Sequence, residues 1–145
     1  MTDRGVSTVL GYVLGLAIVA ALVGGLFVTT GIVSEKHERT TESELRVVGN
    51  MLAADITTVD RLALSARDAR ARLIRDLPER VAGGSYRIQL THDGSGPGVI
   101  ELTASDPDVS VSVPVTNGTA IGNSTASGGG VEIRYDGSTV VIEDV

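Results

Sequence analysis

Hydrophobic positions are concentrated at the start of the chain, where residues 6–33 form a run without a charged side chain. A helix of these 28 residues would be about 42 Å long at ~1.5 Å per residue, against a bilayer hydrocarbon core of ~30 Å. A chain of 145 residues offers little other protein in which such a helix could be buried. The pattern therefore predicts a membrane-spanning helix over residues 6–33.

An ordinary cleaved secretory signal fits this run poorly. Such signals have an apolar stretch of about 7–15 residues followed by a small-residue cleavage site, whereas here a longer run leads into the charged segment 35–39. Charged residues near the two ends of the run give only a weak orientation signal. The acidic composition further along the chain favours the outside of the cell for the C-terminal part.

Small residues recur at four-residue spacing inside the run, at Gly11 and Gly15, Ala20 and Gly24, and Ala21 and Gly25. This spacing lets helix backbones approach closely in lipid, where packing has no hydrophobic driving force. Glycine is also simply frequent in membrane helices. We interpret the spacing as a helix-packing surface, which would suit a filament core or a membrane dimer.

Residues 34–82 have the pattern of an amphipathic helix. Apolar residues recur every three or four positions, at Leu45, Val48, Leu52, Ile56, Val59, Ala63, Ala66, Leu73 and Leu77. Nine basic residues balance nine acidic ones in this segment, which favours a solvated face over a nucleic-acid site. The pattern predicts one long helix with a membrane half and an amphipathic half, ending before Gly83.

Residues 83–145 have strand patterns instead. Alternating apolar and polar positions separated by turn residues predict strands, at Tyr86–Leu90, Val99–Ala104, Val109–Val113, Val131–Tyr135 and Thr139–Ile142. We expect a small antiparallel β-sheet with one buried face, packed on the apolar stripe of the helix. The fold class is therefore α+β.

The net charge of −6 comes from this C-terminal region, which has two basic and eight acidic residues. The chain has eleven Arg and one Lys. An acidic, lysine-poor surface is tolerated at high salt, where charge repulsion is screened over a few ångströms. The composition therefore indicates a halophilic source.

The residues of the chain indicate neither an enzyme nor a metal or cofactor site. Without Cys, thiolate metal sites, disulfides and cysteine nucleophiles are excluded. His37 and His92 belong to no spaced ligand motif. The glycine-rich segment 94–98 leads into a strand, so it lacks the helix N-terminus of a phosphate site.

The polar segment Thr116–Gly130, which we expect to be a loop, contains two acceptor patterns for N-glycosylation. They are Asn117-Gly118-Thr119 and Asn123-Ser124-Thr125. Two patterns within nine residues, in a region expected outside the cell, make Asn117 and Asn123 candidates for modification. The alternative is a flexible loop that carries no sugar.

The junction Asp3-Arg4-Gly5-Val6-Ser7-Thr8-Val9 resembles the class III signal peptides of archaeal type IV pilins, especially haloarchaeal pilin-like proteins. The resemblance implies that a prepilin peptidase cuts between Gly5 and Val6, recognising Arg4 and Gly5, and removes residues 1–5. Two features depart from the pattern: Ser7-Thr8-Val9 replaces the common Ser-Pro-Val, and Leu10 stands where bacterial pilins have glutamate.

The resemblance also implies a function. It predicts a type IV pilin-like structural subunit with an N-terminal helix in the filament core, a β-rich head over residues 83–145 and a role in assembly or adhesion. Its partners would be the peptidase, the pilus assembly machinery, other pilin copies and, before assembly, the bilayer. The alternative is a single-span surface protein whose β region binds a ligand and does not polymerise.

Overall fold

The computed structural model describes residues 3–65, 70–92 and 97–145, with helix side chains at residues 11–23 and 35–65. The described residues form one helix and eight strands, which confirms the α+β class. Two compact units are present, Met1–Lys36 and His37–Val145. The elements are α1 (Asp3–Ser65), β1 (Arg72–Asp76), β2 (Tyr86–Thr91), β3 (Gly98–Ser105), β4 (Asp108–Val115), β5 (Ala120–Ile121), β6 (Ser124–Ser127), β7 (Gly130–Tyr135) and β8 (Thr139–Asp144).

The β region consists of two four-stranded sheets. The strand orders are β1-β7-β8-β5 and β4-β3-β2-β6. Neighbouring strands are antiparallel except β5 and β8, which are parallel. The prediction of one small antiparallel sheet is therefore wrong, because β7 and β8 pair with β1 and β5 and not with β2, β3 or β4. The segment 116–130, predicted as a loop, contributes β5 and β6.

Two hairpins connect strands that were predicted from the sequence. β3 pairs with β4 from Gly98↔Val115 to Ser105↔Asp108, and β7 pairs with β8. The β7–β8 turn is held by Asp136, whose Oδ1 accepts hydrogen bonds from the backbone N–H groups of Ser138 (2.9 Å) and Thr139 (2.8 Å). These bonds lower the pKa of Asp136 to about 2.

One hydrophobic core joins α1 to the inward side chains of both sheets. The predicted stripe of the helix is confirmed for its first five residues, which are all buried: Leu45, Val48, Leu52, Ile56 and Val59. Gly49 lies in the same buried face, and a Cβ built on it would be 2.7 Å from Val113 Cγ2. The helix backbone therefore contacts the β4 side chains directly at this turn.

The predicted amphipathic helix over residues 34–82 is too long. Helix α1 ends at Ser65, and Arg72–Asp76 forms β1, which pairs with β7. Leu73 lies in this strand and is half-buried against the core. Leu77 directly follows the strand, is buried, and donates a hydrogen bond from its N–H to Gly129 O (2.9 Å). Residues four apart lie on one side of a helix, but they also lie on one side of an extended strand, so the spacing of Leu73 and Leu77 did not distinguish the two. The β region therefore begins at β1, before residue 83.

Several predicted residues lie outside the described side chains. These are the cleavage-site residues Arg4, Gly5 and Val6, the packing residues Gly24 and Gly25, and Ala66 of the stripe. Of the run 6–33, side chains are described at residues 11–23. Among the residues that the structure describes, no helix combines the length and the apolar character needed to cross a membrane.

Candidate assembly site

Every side chain of residues 11–23 is exposed in the single chain. The large apolar ones include Tyr12, Leu14, Ile18 and Leu22, and Tyr12 is 75% exposed. Apolar surface in water costs about 25 cal/mol per Å², and contiguous exposed patches of it mark contacts with membranes or other proteins. The segment therefore has the apolar character of a surface that contacts a membrane or another protein.

Two of the predicted packing residues, Gly11 and Gly15, line one groove of this segment. The groove has a volume of about 410 Å³ and is bounded by Tyr12, Leu16 and Val19. A Cβ built on either glycine would meet no atom within 4 Å. The space beside these glycines is therefore not occupied by any described residue of the chain, and the open groove is wide enough to receive a side chain from another helix.

The other two described packing residues, Ala20 and Ala21, do not line the groove. Both are exposed. They broaden the uncharged surface of the segment, and neither contributes a polar group to it.

A second exposed apolar surface follows α1 within the unit His37–Val145. Val47, Met51 and Leu62 are 59%, 41% and 52% exposed. Their spacing places them on the side of the helix opposite the buried stripe, with the exposed Ala54 and Thr58 between them. We call these five residues the outer stripe.

Asp60 is the most extensively bonded carboxylate that fixes α1 to the β region. It is buried, and it accepts hydrogen bonds from Gly118 N (2.9 Å), Thr119 N (2.8 Å) and the Thr119 hydroxyl. Burial alone would raise the pKa of this carboxyl. The hydrogen bonds from Thr119 and Gly118 outweigh burial, so the pKa of Asp60 lies below its ordinary value.

A second buried carboxylate, Asp55, binds the first sheet. Arg75 in β1 donates two hydrogen bonds to it, Nε to Oδ2 and Nη2 to Oδ1, both 2.6 Å long. Such bidentate pairs are strong and restrict geometry. The pair therefore holds β1 at a defined position along the helix.

Glu44 makes a third contact, with the tight turn before β2. Its Oε2 accepts a hydrogen bond from Ala82 N (2.8 Å). Ala82 has a φ of 48° and Gly83 a φ of 87°, and Val81 and Gly84 exchange two backbone hydrogen bonds around them. The helix thus supports a turn that contains an alanine in the left-handed region.

These three carboxylates were not identified from the sequence. A signal for two of them exists: Asp55 and Asp60 directly flank Ile56 and Val59 of the buried stripe. A carboxylate inside a buried arc needs partners, because an unpaired buried charge is costly. The residues that supply them, Arg75 and Thr119, are distant in sequence and had no such signal.

The two Asn triplets differ in their surroundings. Asn117 is half-buried, and its Oδ1 accepts from Gly98 N (3.0 Å) while its Nδ2 donates to Thr119 O (2.8 Å). Asn123 is exposed, and its Oδ1 accepts from His92 N (3.1 Å). The first side chain is part of the loop's own structure, whereas the second lies at the surface.

The described β region also has a polar cleft of about 440 Å³ beside β2. The Tyr86 hydroxyl donates to Pro78 O (2.7 Å), and burial raises its pKa to about 12. This phenol therefore stays protonated at neutral pH. Within the described residues, no three His, Asp or Glu side chains converge on a position for a metal ion.

The fold and the exposed segment define an α+β protein in which one helix has an open apolar surface and also forms the core of a two-sheet β region. The chain belongs to the family of unknown function DUF7266, which it matches over residues 1–143. No curated protein and no solved structure matches the chain. The family match includes the apolar run, the helix and both sheets.

Proposed function

We propose that the chain is a pilin-like structural subunit of an archaeal type IV pilus-like surface filament. The observation that carries the proposal is the exposed apolar segment 11–23 with its open groove at Gly11 and Gly15. This segment belongs to the uncharged run 6–33. Lipid covers the run before assembly, with the β region outside the cell, and the helices of neighbouring copies cover it in the filament.

The junction at Arg4, Gly5 and Val6 supports processing by a prepilin peptidase. Removal of residues 1–5 leaves the amine of Val6 at the start of the apolar helix. The pilus assembly machinery then moves the subunit out of the bilayer. A 28-residue apolar helix that leaves lipid must be buried again, and bundling with its own copies achieves this.

The outer stripe supports the same proposal from the second unit. Val47, Met51 and Leu62 expose apolar surface, and none of them belongs to the hydrophobic core between α1 and the sheets. Contact with neighbouring subunits would cover it. The acidic β region would remain outside the helix bundle, in a salt-rich setting, where it would serve adhesion or surface contacts.

Processing is tested on the full chain purified from its native host. Intact mass spectrometry should show a chain that begins at Val6. Gly5→Leu should block the cut and retain Met1 or Thr2, because the bulky side chain replaces the small residue before the cut. Gly11→Leu is the matched control and should be processed normally. A wild-type chain that still begins at Met1 or Thr2 would contradict the processing step.

Assembly is tested by filling the groove. Gly15→Leu should abolish surface filaments in electron micrographs, because its side chain occupies the space for a neighbouring helix. Val13→Leu is the control, since it enlarges a residue outside the groove. Processed, membrane-bound wild-type chain without filaments would instead favour the single-span surface protein that does not polymerise.

A further inference from the structure

The connection between β4 and β7 contains both Asn triplets, and the first is used by the fold. The Asn117 amide bridges Gly98 N and Thr119 O, while the Thr119 hydroxyl donates to Asp60. N-glycosylation requires the amide nitrogen of the Asn and the hydroxyl residue two positions later. In the first triplet both groups already have partners within the protein.

The turn of this first triplet also lies directly against helix α1. A Cβ built on Gly118 would be 2.8 Å from Leu64 Cδ1 and 3.5 Å from Asp60 Oδ2. A methyl group at the middle of the triplet would therefore have to displace the Leu64 side chain. An oligosaccharide on the half-buried Asn117 would be attached to a turn that packs against helix α1.

The second triplet is more exposed. Asn123 Oδ1 accepts a hydrogen bond from His92 N (3.1 Å), and this bond does not involve the Nδ2 atom. Asn123 and Thr125 are both exposed, at and just after the point where the chain enters β6. Thr125 pairs with Gln89 of β2 in a register that directs both side chains to the outer face of the sheet. The amide-bearing side chain and the hydroxyl residue of this triplet are thus at the surface of the folded protein.

We infer that Asn123, and not Asn117, carries an N-linked oligosaccharide. The inference rests on the proposed function in one respect, since the β region must be outside the cell. The Nδ2 atom of Asn123 forms a bond to the anomeric carbon of a sugar delivered on a lipid-linked phosphate. The bond from that carbon to the phosphate oxygen breaks, the lipid phosphate leaves with the electron pair, and the amide loses one proton.

The test uses full-length chain purified from the native host. Glycopeptide mass spectrometry of the wild-type chain should place the sugar on Asn123. Asn123→Gln and Thr125→Ala should each lose the added mass, whereas Thr125→Ser, which keeps a hydroxyl at that position, and Asn117→Gln should retain it. Site mapping in the wild-type chain does not depend on whether Asn117→Gln folds.

Two results would overturn the inference: a sugar on Asn117, or a wild-type chain with no sugar on either residue. The N-terminus of the same sample is read separately. A chain that begins at Met1 but carries a sugar on Asn123 would contradict the processing step and leave the modification standing. A chain that begins at Val6 without a sugar would do the reverse.

Discussion

Two parts of helix α1 differ both in apolar content and in surroundings. In residues 11–23 every side chain is exposed, and Leu16 is 58% exposed. In residues 37–65 one face is buried under both sheets, and Leu52 is 0% exposed. The second part is therefore stabilised inside its own chain, whereas the first part has apolar surface that the described residues leave uncovered.

Glycine shows the same difference. A Cβ on Gly15 would meet nothing within 4 Å, whereas a Cβ on Gly49 would lie 2.8 Å from Leu102 Cδ1 and 2.7 Å from Val113 Cγ2. Gly49 permits a contact that the chain already makes. Gly15 leaves a space that the described residues do not fill, so its substitution should leave folding unchanged and, under the proposed function, impair assembly.

The largest difference is expected between Leu52→Ala and Leu16→Ala. Truncating the buried Leu52 should lower the free energy of unfolding by about 2–5 kcal/mol, because transfer energy is lost and a cavity remains. Truncating the exposed Leu16 should change it by less than about 0.5 kcal/mol. Thermal unfolding of the detergent-solubilised full chain, followed by circular dichroism, measures both. Equal losses would mean that Leu16 is also packed within the chain.

A smaller difference is expected between Gly49→Ala and Gly15→Ala. The new methyl group at residue 49 overlaps two core side chains and should cost about 1–3 kcal/mol, less a helix-propensity gain of up to about 1 kcal/mol. At residue 15 only the propensity gain applies. Chemical denaturation of both variants in detergent tests this. A Gly49→Ala protein more stable than wild type would show that the sheet moves aside freely.

Asp60 should make the free energy of unfolding fall at acid pH. Its folded-state pKa lies below the ordinary 3.8, so its contribution is present above that pH and is lost as pH falls through the folded value. Asp60→Asn should cost about 1–2 kcal/mol at neutral pH and weaken the decline of stability below about pH 4. Denaturation midpoints from pH 6 to pH 2 give both quantities. An unchanged acid slope in the variant would assign the decline to other carboxylates.

The smallest effect is expected at the turn that Glu44 supports. Ala82→Gly relieves a left-handed alanine, worth about 1–2 kcal/mol, and adds unfolded-state entropy worth about 0.5–1 kcal/mol. The net result should be a gain of up to about 1 kcal/mol in the free energy of unfolding. Glu44→Gln is the control, because its side-chain amide keeps an oxygen that can accept the hydrogen bond from Ala82 N. A loss of stability in Ala82→Gly would mean that the alanine methyl group packs usefully.

Patterns local in sequence predicted the fold best. The helical spacing of Leu45 to Val59 identified the buried face, and alternating patterns separated by turn residues located β2, β3, β4, β7 and β8. These features depend on neighbouring residues. A periodic pattern and a turn therefore sufficed to locate them.

Features that depend on distant partners were missed. Leu73 and Leu77 continue the helical spacing, yet β1 forms because β7 supplies its backbone partners. The polar segment after Val115 resembles a loop, but β2 and β8 recruit parts of it as β6 and β5. Asp60 receives its donors from Gly118 and Thr119, which no helical pattern relates to it. In each case the deciding contact spans tens of residues.

The pairing of β1 with β7 has a consequence for the order of folding. Arg72 pairs with Arg134, whereas β2, β3 and β4 are joined by successive hairpins. Contacts close in sequence form faster than distant ones, because less loop entropy is lost. The β2–β4 meander can therefore form while the chain is still emerging, but the β1 sheet must wait for β7. The chain therefore completes its core only after nearly all of its residues have been synthesised.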